Sequence, residues 1–147
     1  MHRRTFLAAA AATPLALTAT RLRAAEPEIF AIDGTAIRGI DPVAYFDAAA
    51  PVEGVDALMW KGVEWRFATP ENRAAFEMDP MRWAPAFGGY CAYAASLGYL
   101  APTVPEAWTV HEGRLYLNAN LRARELWLAD IDGNIAKGEA NWPGILG

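Results

Sequence analysis

One cysteine, Cys91, stands in 147 residues. No disulfide can therefore close within the chain, and no Cys-x-x-Cys redox or zinc motif exists. There is no glycine-rich phosphate loop, and no Ser/His/Asp set has readable context. The carboxylates are scattered, so no glycosidase pair can be assigned. No Lys/Arg run is present that could track a phosphate backbone, which excludes nucleic acid as a partner. The main apolar run, Leu7 to Ala19, is thirteen weakly apolar residues broken by Pro14. That is too short to cross the roughly 30 Å of a bilayer core, so no stable membrane anchor is expected. Internal repeats and low-complexity segments are also missing.

What is present begins with an address. Arg3 and Arg4 precede Thr5-Phe6-Leu7, the apolar run follows, and Arg21 and Arg23 lead into Ala24-Ala25. A charged start, a short apolar centre and a small-residue exit describe a signal peptide. The adjacent arginines point to the twin-arginine machinery, which exports folded proteins to the periplasm. Residues 1–25 are read as that signal, cleaved near Ala24 or Ala25, and residues 26–147 as one domain. Removing the signal leaves 9 basic residues against 17 acidic ones, and the formal charge falls from −4 to −8. All six tryptophans lie in the mature part. A core can therefore form without disulfides in a stretch of ordinary domain length.

The element pattern predicts an α+β domain, with two β-hairpins packed against short helices. Residues 28–38 read as an extended edge turning at Asp33-Gly34. Ala57–Trp60 and Val63–Ala68 form a hairpin around Lys61-Gly62, and Ala107–Val110 and Arg114–Leu117 a second around Glu112-Gly113. Thr69 caps a helix with Pro70 in its first turn; it carries Phe76 inward and stops before Asp79-Pro80. Asn120 caps a closing helix from Leu121 to about Ala129, with Leu121, Leu126 and Trp127 available for burial. Trp65, Phe67, Phe76 and Trp108 are expected in the core.

Several stretches together resemble the YHS domain: Gly39-Ile40-Asp41-Pro42-Val43-Ala44-Tyr45-Phe46, Trp60 to Ala68, Asn72-Arg73, Phe76, Asp79-Pro80 and Trp83-Ala84-Pro85. Gly88 to Ala94, Ala107 to Val110, Gly113 to Asn118 and Asn141-Trp142-Pro143 resemble its exported branch. The resemblance implies a small metal-binding scaffold, with copper as the metal. Its usual cysteine positions are Ala44 and Ala68 here, and neither side chain can coordinate an ion.

Chemistry then centres on Cys91. Gly88-Gly89 precede a small-residue stretch that fits a helix from about Tyr90 to Leu97, ended by Gly98. Cys91 falls in its first turn, where free amides and the dipole favour a thiolate. Tyr90 and Tyr93 share one face beside it. The same cysteine among alanines also fits a buried packing residue. His111, beside a turn, is a solvated histidine or a second metal ligand. Met59, Met78 and Met81 offer thioethers to Cu(I) or fill gaps, and Asp41 has a structural, turn-capping role. Three functions remain open. One is a copper-binding accessory protein using Cys91 with His111 or a methionine, acting on a periplasmic metalloprotein. Another is a thiol redox protein with a redox partner. The third is a non-catalytic module that binds a protein or ligand and buries Cys91.

Overall fold

The computed structural model describes residues 8–16 and 24–147. Arg3, Arg4, Arg21 and Arg23 lie outside the described residues. No described helix is long and apolar enough to cross a membrane. The domain is α+β, as its pattern implied, with one four-stranded mixed sheet and one two-stranded hairpin.

Strands β1 (Ala31–Ile32), β2 (Thr35–Ala36), β3 (Asp56–Trp60) and β4 (Val63–Phe67) form the first sheet, in the order β1-β2-β4-β3. The β1-β2 and β3-β4 pairs are antiparallel, while β2 runs parallel to β4. Strands β5 (Trp108–His111) and β6 (Arg114–Leu117) form the second hairpin. Its turn, Glu112-Gly113, has positive φ at both residues, as do Asp33-Gly34 and Lys61-Gly62. That backbone twist matches the flanking strands, which is why an X-Gly pair sits at each turn.

Short helices close the faces: α1 (Ala44–Asp47), α2 (Pro70–Met78), α3 (Pro80–Trp83), α4 (Ala92–Leu97), α5 (Leu121–Leu128) and α6 (Ile131–Asn141). Thr69 Oγ1 accepts from the amide of Asn72, 3.1 Å away, and starts α2 as expected. Asn120 does the same for α5 through Ala123, at 2.8 Å.

Two apolar cores result. In the first, Trp65, Phe67 and Phe76 are fully buried, with ring centroids 5.1 Å apart for the Trp65–Phe76 and Phe67–Phe76 pairs. Trp108 is only half-buried and lies at the rim. The second core gathers Phe87, Ala92, Ala95, Tyr116 and Trp127 under α4, α5 and α6. Leu121 and Leu126 are exposed, because the inward stripe of α5 is Ala123, Arg124, Trp127 and Leu128 and both leucines lie off it.

Helix α6 is the element that sequence patterning missed. Gly133 and Gly138 both lower its helix propensity, yet both serve it. Asp130 caps its start by accepting from Gly133. A Cβ on Gly138 would come within 2.7 Å of Phe87 Cζ, so glycine lets the helix lie directly on that ring.

One buried carboxylate joins the loop after β2 to the sheet and to α2. Asp41 is fully buried, and its Oδ1 accepts from the amides of Val43 (2.8 Å) and Ala44 (3.3 Å). Its Oδ2 accepts from the amide of Ala68 and from Asn72 Nδ2, both at 2.8 Å. The resemblance's two cysteine positions, Ala44 and Ala68, thus meet around Asp41, where methyl groups add packing only. Hydrogen bonds to a charged group each contribute about 1.5–3 kcal/mol, and their donors stay buried when the acceptor is lost. We expect Asp41→Ala to lower unfolding free energy by about 3–5 kcal/mol. Asp41→Asn, which keeps one acceptor, should lose clearly less. Urea denaturation of both variants checks this, and equal losses would contradict the four-donor account.

Candidate functional site

Cys91 does not lie inside α4; it is the residue that caps it. Tyr90 is extended and Cys91 non-helical (φ −58°, ψ 120°), and the helix begins at Ala92, two residues later than the small-residue pattern predicts. The displacement follows from a backbone bond, the Cys91 amide donating to the Ala101 carbonyl at 3.0 Å. The sulfur then takes the place of a serine oxygen at a helix start, accepting from the amide of Ala94 at 3.5 Å. It also accepts from the amide of Ala119 at 3.3 Å, and the thiol donates to Asn118 Oδ1 at 3.4 Å. Asn118 Oδ1 accepts from the Tyr93 amide as well, at 3.0 Å. Cys91 is only 2% exposed. Its one donor and its acceptor capacity are engaged within the fold.

Neither expected tyrosine hydroxyl joins the sulfur. Tyr90 Oη donates to the Pro27 carbonyl at 2.8 Å, and the Tyr93 ring packs against the second core. Asn118 is the residue that sequence reading passed over. It sits just past the last strand, a position that read as the end of a motif. It is fully buried, and its Nδ2 has no hydrogen-bond partner.

His111 lies far from Cys91. The sulfur is anchored at residues 118–119, and Asn118 pairs by its backbone with Ala107. His111 is four residues further along β5, which is about 13 Å at the usual strand rise. These two proposed ligands occupy opposite ends of the hairpin. His111 instead faces Asp132 in the first turn of α6, with Nε2 3.3 Å from Oδ1 and 4.0 Å from Glu112 Oε1. The donor atoms of His111, Glu112 and Asp132 lie within 4.8 Å of one another. One imidazole and two carboxylates suit a borderline divalent ion and not Cu(I), which favours soft sulfur. Both carboxylates are exposed, and the positive end of α6 opposes a cation beside Asp132. Met59, Met78 and Met81 are exposed on β3, α2 and α3 respectively. The sulfur donors do not fit a Cu(I) site, since Cys91 is sealed by its three partners.

The glycines before Cys91 shape a different place. Gly88 and Gly89 both have positive φ, and a Cβ on Gly88 would stand 1.8 Å from the Glu28 carbonyl oxygen. The close approach therefore serves the chain's own residues 26–30. Phe30 donates its amide to the Gly88 carbonyl at 2.8 Å, and Glu26 to that of Leu146 at 2.7 Å. Held this way, Glu26 and Phe30 form one wall of an open groove of about 440 Å³. Tyr90, Tyr99, Leu100, Pro102 and Ile145 complete it. The Tyr90 and Phe30 rings are 5.4 Å apart, and Tyr99 is half exposed. Burial, and then the Glu26 carboxylate, push the Tyr90 phenol above its ordinary range, so it is neutral near pH 7. Aromatic faces beside a single carboxylate form a surface for an apolar group carrying positive charge.

No family model, curated protein or solved structure matches the chain.

Proposed function

We propose that the chain is an exported, non-catalytic binding module, YHS-like in its motifs, whose groove takes an apolar or aromatic ligand bearing a positive charge. The observation that carries this reading is a contrast in exposure. The one thiol is enclosed by three hydrogen-bond partners, whereas Phe30, Tyr99 and Glu26 line an open groove. Cys91 then caps and packs α4. A thiol-centred reading, redox or copper-binding, has one observation on its side: two backbone amides direct their protons at the sulfur. The periplasmic destination rests on Arg3 and Arg4.

Two results are expected. Replacing Arg3 and Arg4 with lysine should leave precursor in the cytoplasm, and fractionation followed by immunoblotting reads this directly. Normal delivery of the double variant to the periplasm would contradict the twin-arginine route. For the groove, titration with 2-phenylethylamine should shift the NMR signals of Tyr90 and Tyr99, whereas phenylacetate should not. Tyr99→Ala should weaken amine binding severalfold, about 1 kcal/mol, as for loss of one exposed cation–π contact. Equal response to both probes, or to neither, would defeat the groove reading.

A further inference from the structure

Strand β3 has a partner on one side only, being the last strand in the order β1-β2-β4-β3. The two-residue turn at Lys61-Gly62 makes Trp60 and Val63 a hydrogen-bonded pair. The pattern alternates from there, so Leu58 with Trp65 and Asp56 with Phe67 also exchange hydrogen bonds. Ala57 and Met59 consequently point their N–H and C=O groups away from β4. No described strand pairs with that edge.

Edges left open in this way are usually guarded by lysine, proline or an inward charge. Between Ala57 and Met59 there is none. The guards lie at the start of the strand: Asp56, on the core-facing side and paired with Arg73, and a bulge. There Val55 donates to the Phe67 carbonyl at 2.9 Å, although Asp56 is the residue that pairs with Phe67. The side chains make the edge more unusual still. Leu58 and Trp60 turn toward the core, which leaves Ala57 and Met59 on the solvent face, Met59 at 65% exposure.

We propose that this edge pairs with the same edge of a second copy of the chain, antiparallel, about a two-fold axis at Leu58. The register is self-complementary. Ala57 faces the partner's Met59 and Met59 faces the partner's Ala57, so four backbone hydrogen bonds form and each long side chain lies over a small one. Charge follows the same symmetry. On the outer face Ala57 is paired with Arg66 and Met59 with Glu64. Each row across the joined sheet therefore runs from an arginine, through Ala57 and a methionine, to a glutamate of the other copy. The rows are neutral and of opposite polarity, as an isologous contact requires. An unrelated strand would have to reproduce the small–large alternation and the charge order that the second copy supplies by symmetry. The inference is independent of the groove, which β3 does not line.

The contact is small compared with standard interfaces of about 1,600 Å², so the association is weak and concentration-dependent. With a formal charge of −8 on each processed copy, added salt strengthens it by shortening the screening length to about 10 Å at 0.1 M. Sedimentation equilibrium tests the proposal. The expected result is a monomer–dimer equilibrium that tightens between low salt and 0.3 M NaCl. Met59→Lys should raise the dissociation constant at least tenfold with an unchanged circular dichroism spectrum. Ala57→Pro should do the same, since it removes only an outward donor; if that variant folds poorly, Met59→Lys decides alone. Met78→Lys, at an exposed site on α2, should leave dimerisation unaltered. A protein that stays monomeric to about 1 mM, the affinity at which an interaction is worth only about 4 kcal/mol, would overturn the proposal. So would a dimer indifferent to Met59→Lys, or one weakened equally by Met78→Lys.

Discussion

Strand β6 has to satisfy two cores at once, and the rest of the architecture depends on how it does so. Its alternation sends Leu115 and Leu117 into the aromatic core of the four-stranded sheet and Tyr116 into the core beneath the helices. A slip of one residue would reverse every one of these assignments. The register is pinned at one end by the Glu112-Gly113 turn and at the other by Asn118. The Asn118 amide donates to Ala107 and its carbonyl accepts from Val104, while its side chain holds Cys91 and Tyr93. Helix α4 is thereby tied to the end of the strand that separates the two cores.

This arrangement gives the lone cysteine a role that needs no external chemistry. A serine at the same place would cap the helix through a smaller oxygen, and an alanine would leave the Ala94 and Ala119 amides without an acceptor. Sulfur fills the volume and accepts both amides in a site closed to water. The open groove lies elsewhere, where residues 26–30 are bound across Gly88 and place Glu26 and Phe30 in its wall. The glycine pair that seemed to prepare a reactive thiol instead builds that wall.

Much of the fold was legible because the signals were local. The X-Gly turns, the Thr69 and Asn120 caps and the Trp65–Phe67–Phe76 aromatics each act over a few residues, and each appears where its chemistry places it. Helix α6 was not legible, because two glycines in eleven residues lower helix propensity and only contact with Phe87 explains Gly138. The candidate site was the least readable part. Its composition was plain, but whether Cys91 faces solvent depends on Asn118 and Ala119, 27 and 28 residues away. Likewise, the distance between Cys91 and His111 is a property of the hairpin, not of spacing along the chain.

The central claim is that Cys91 is a capping and packing thiol. The most direct measurement is the rate of its alkylation in native protein between pH 6 and 9, relative to the urea-unfolded chain, with and without Cu(I) under reducing conditions. The account predicts that the native thiol reacts only through opening of the fold. Its rate should be suppressed by about a thousandfold or more, as for groups exposed only by subglobal or global unfolding, and Cu(I) should not alter it. Rapid native alkylation that persists below pH 7, or that Cu(I) blocks, would contradict the account and return Cys91 to redox or metal chemistry.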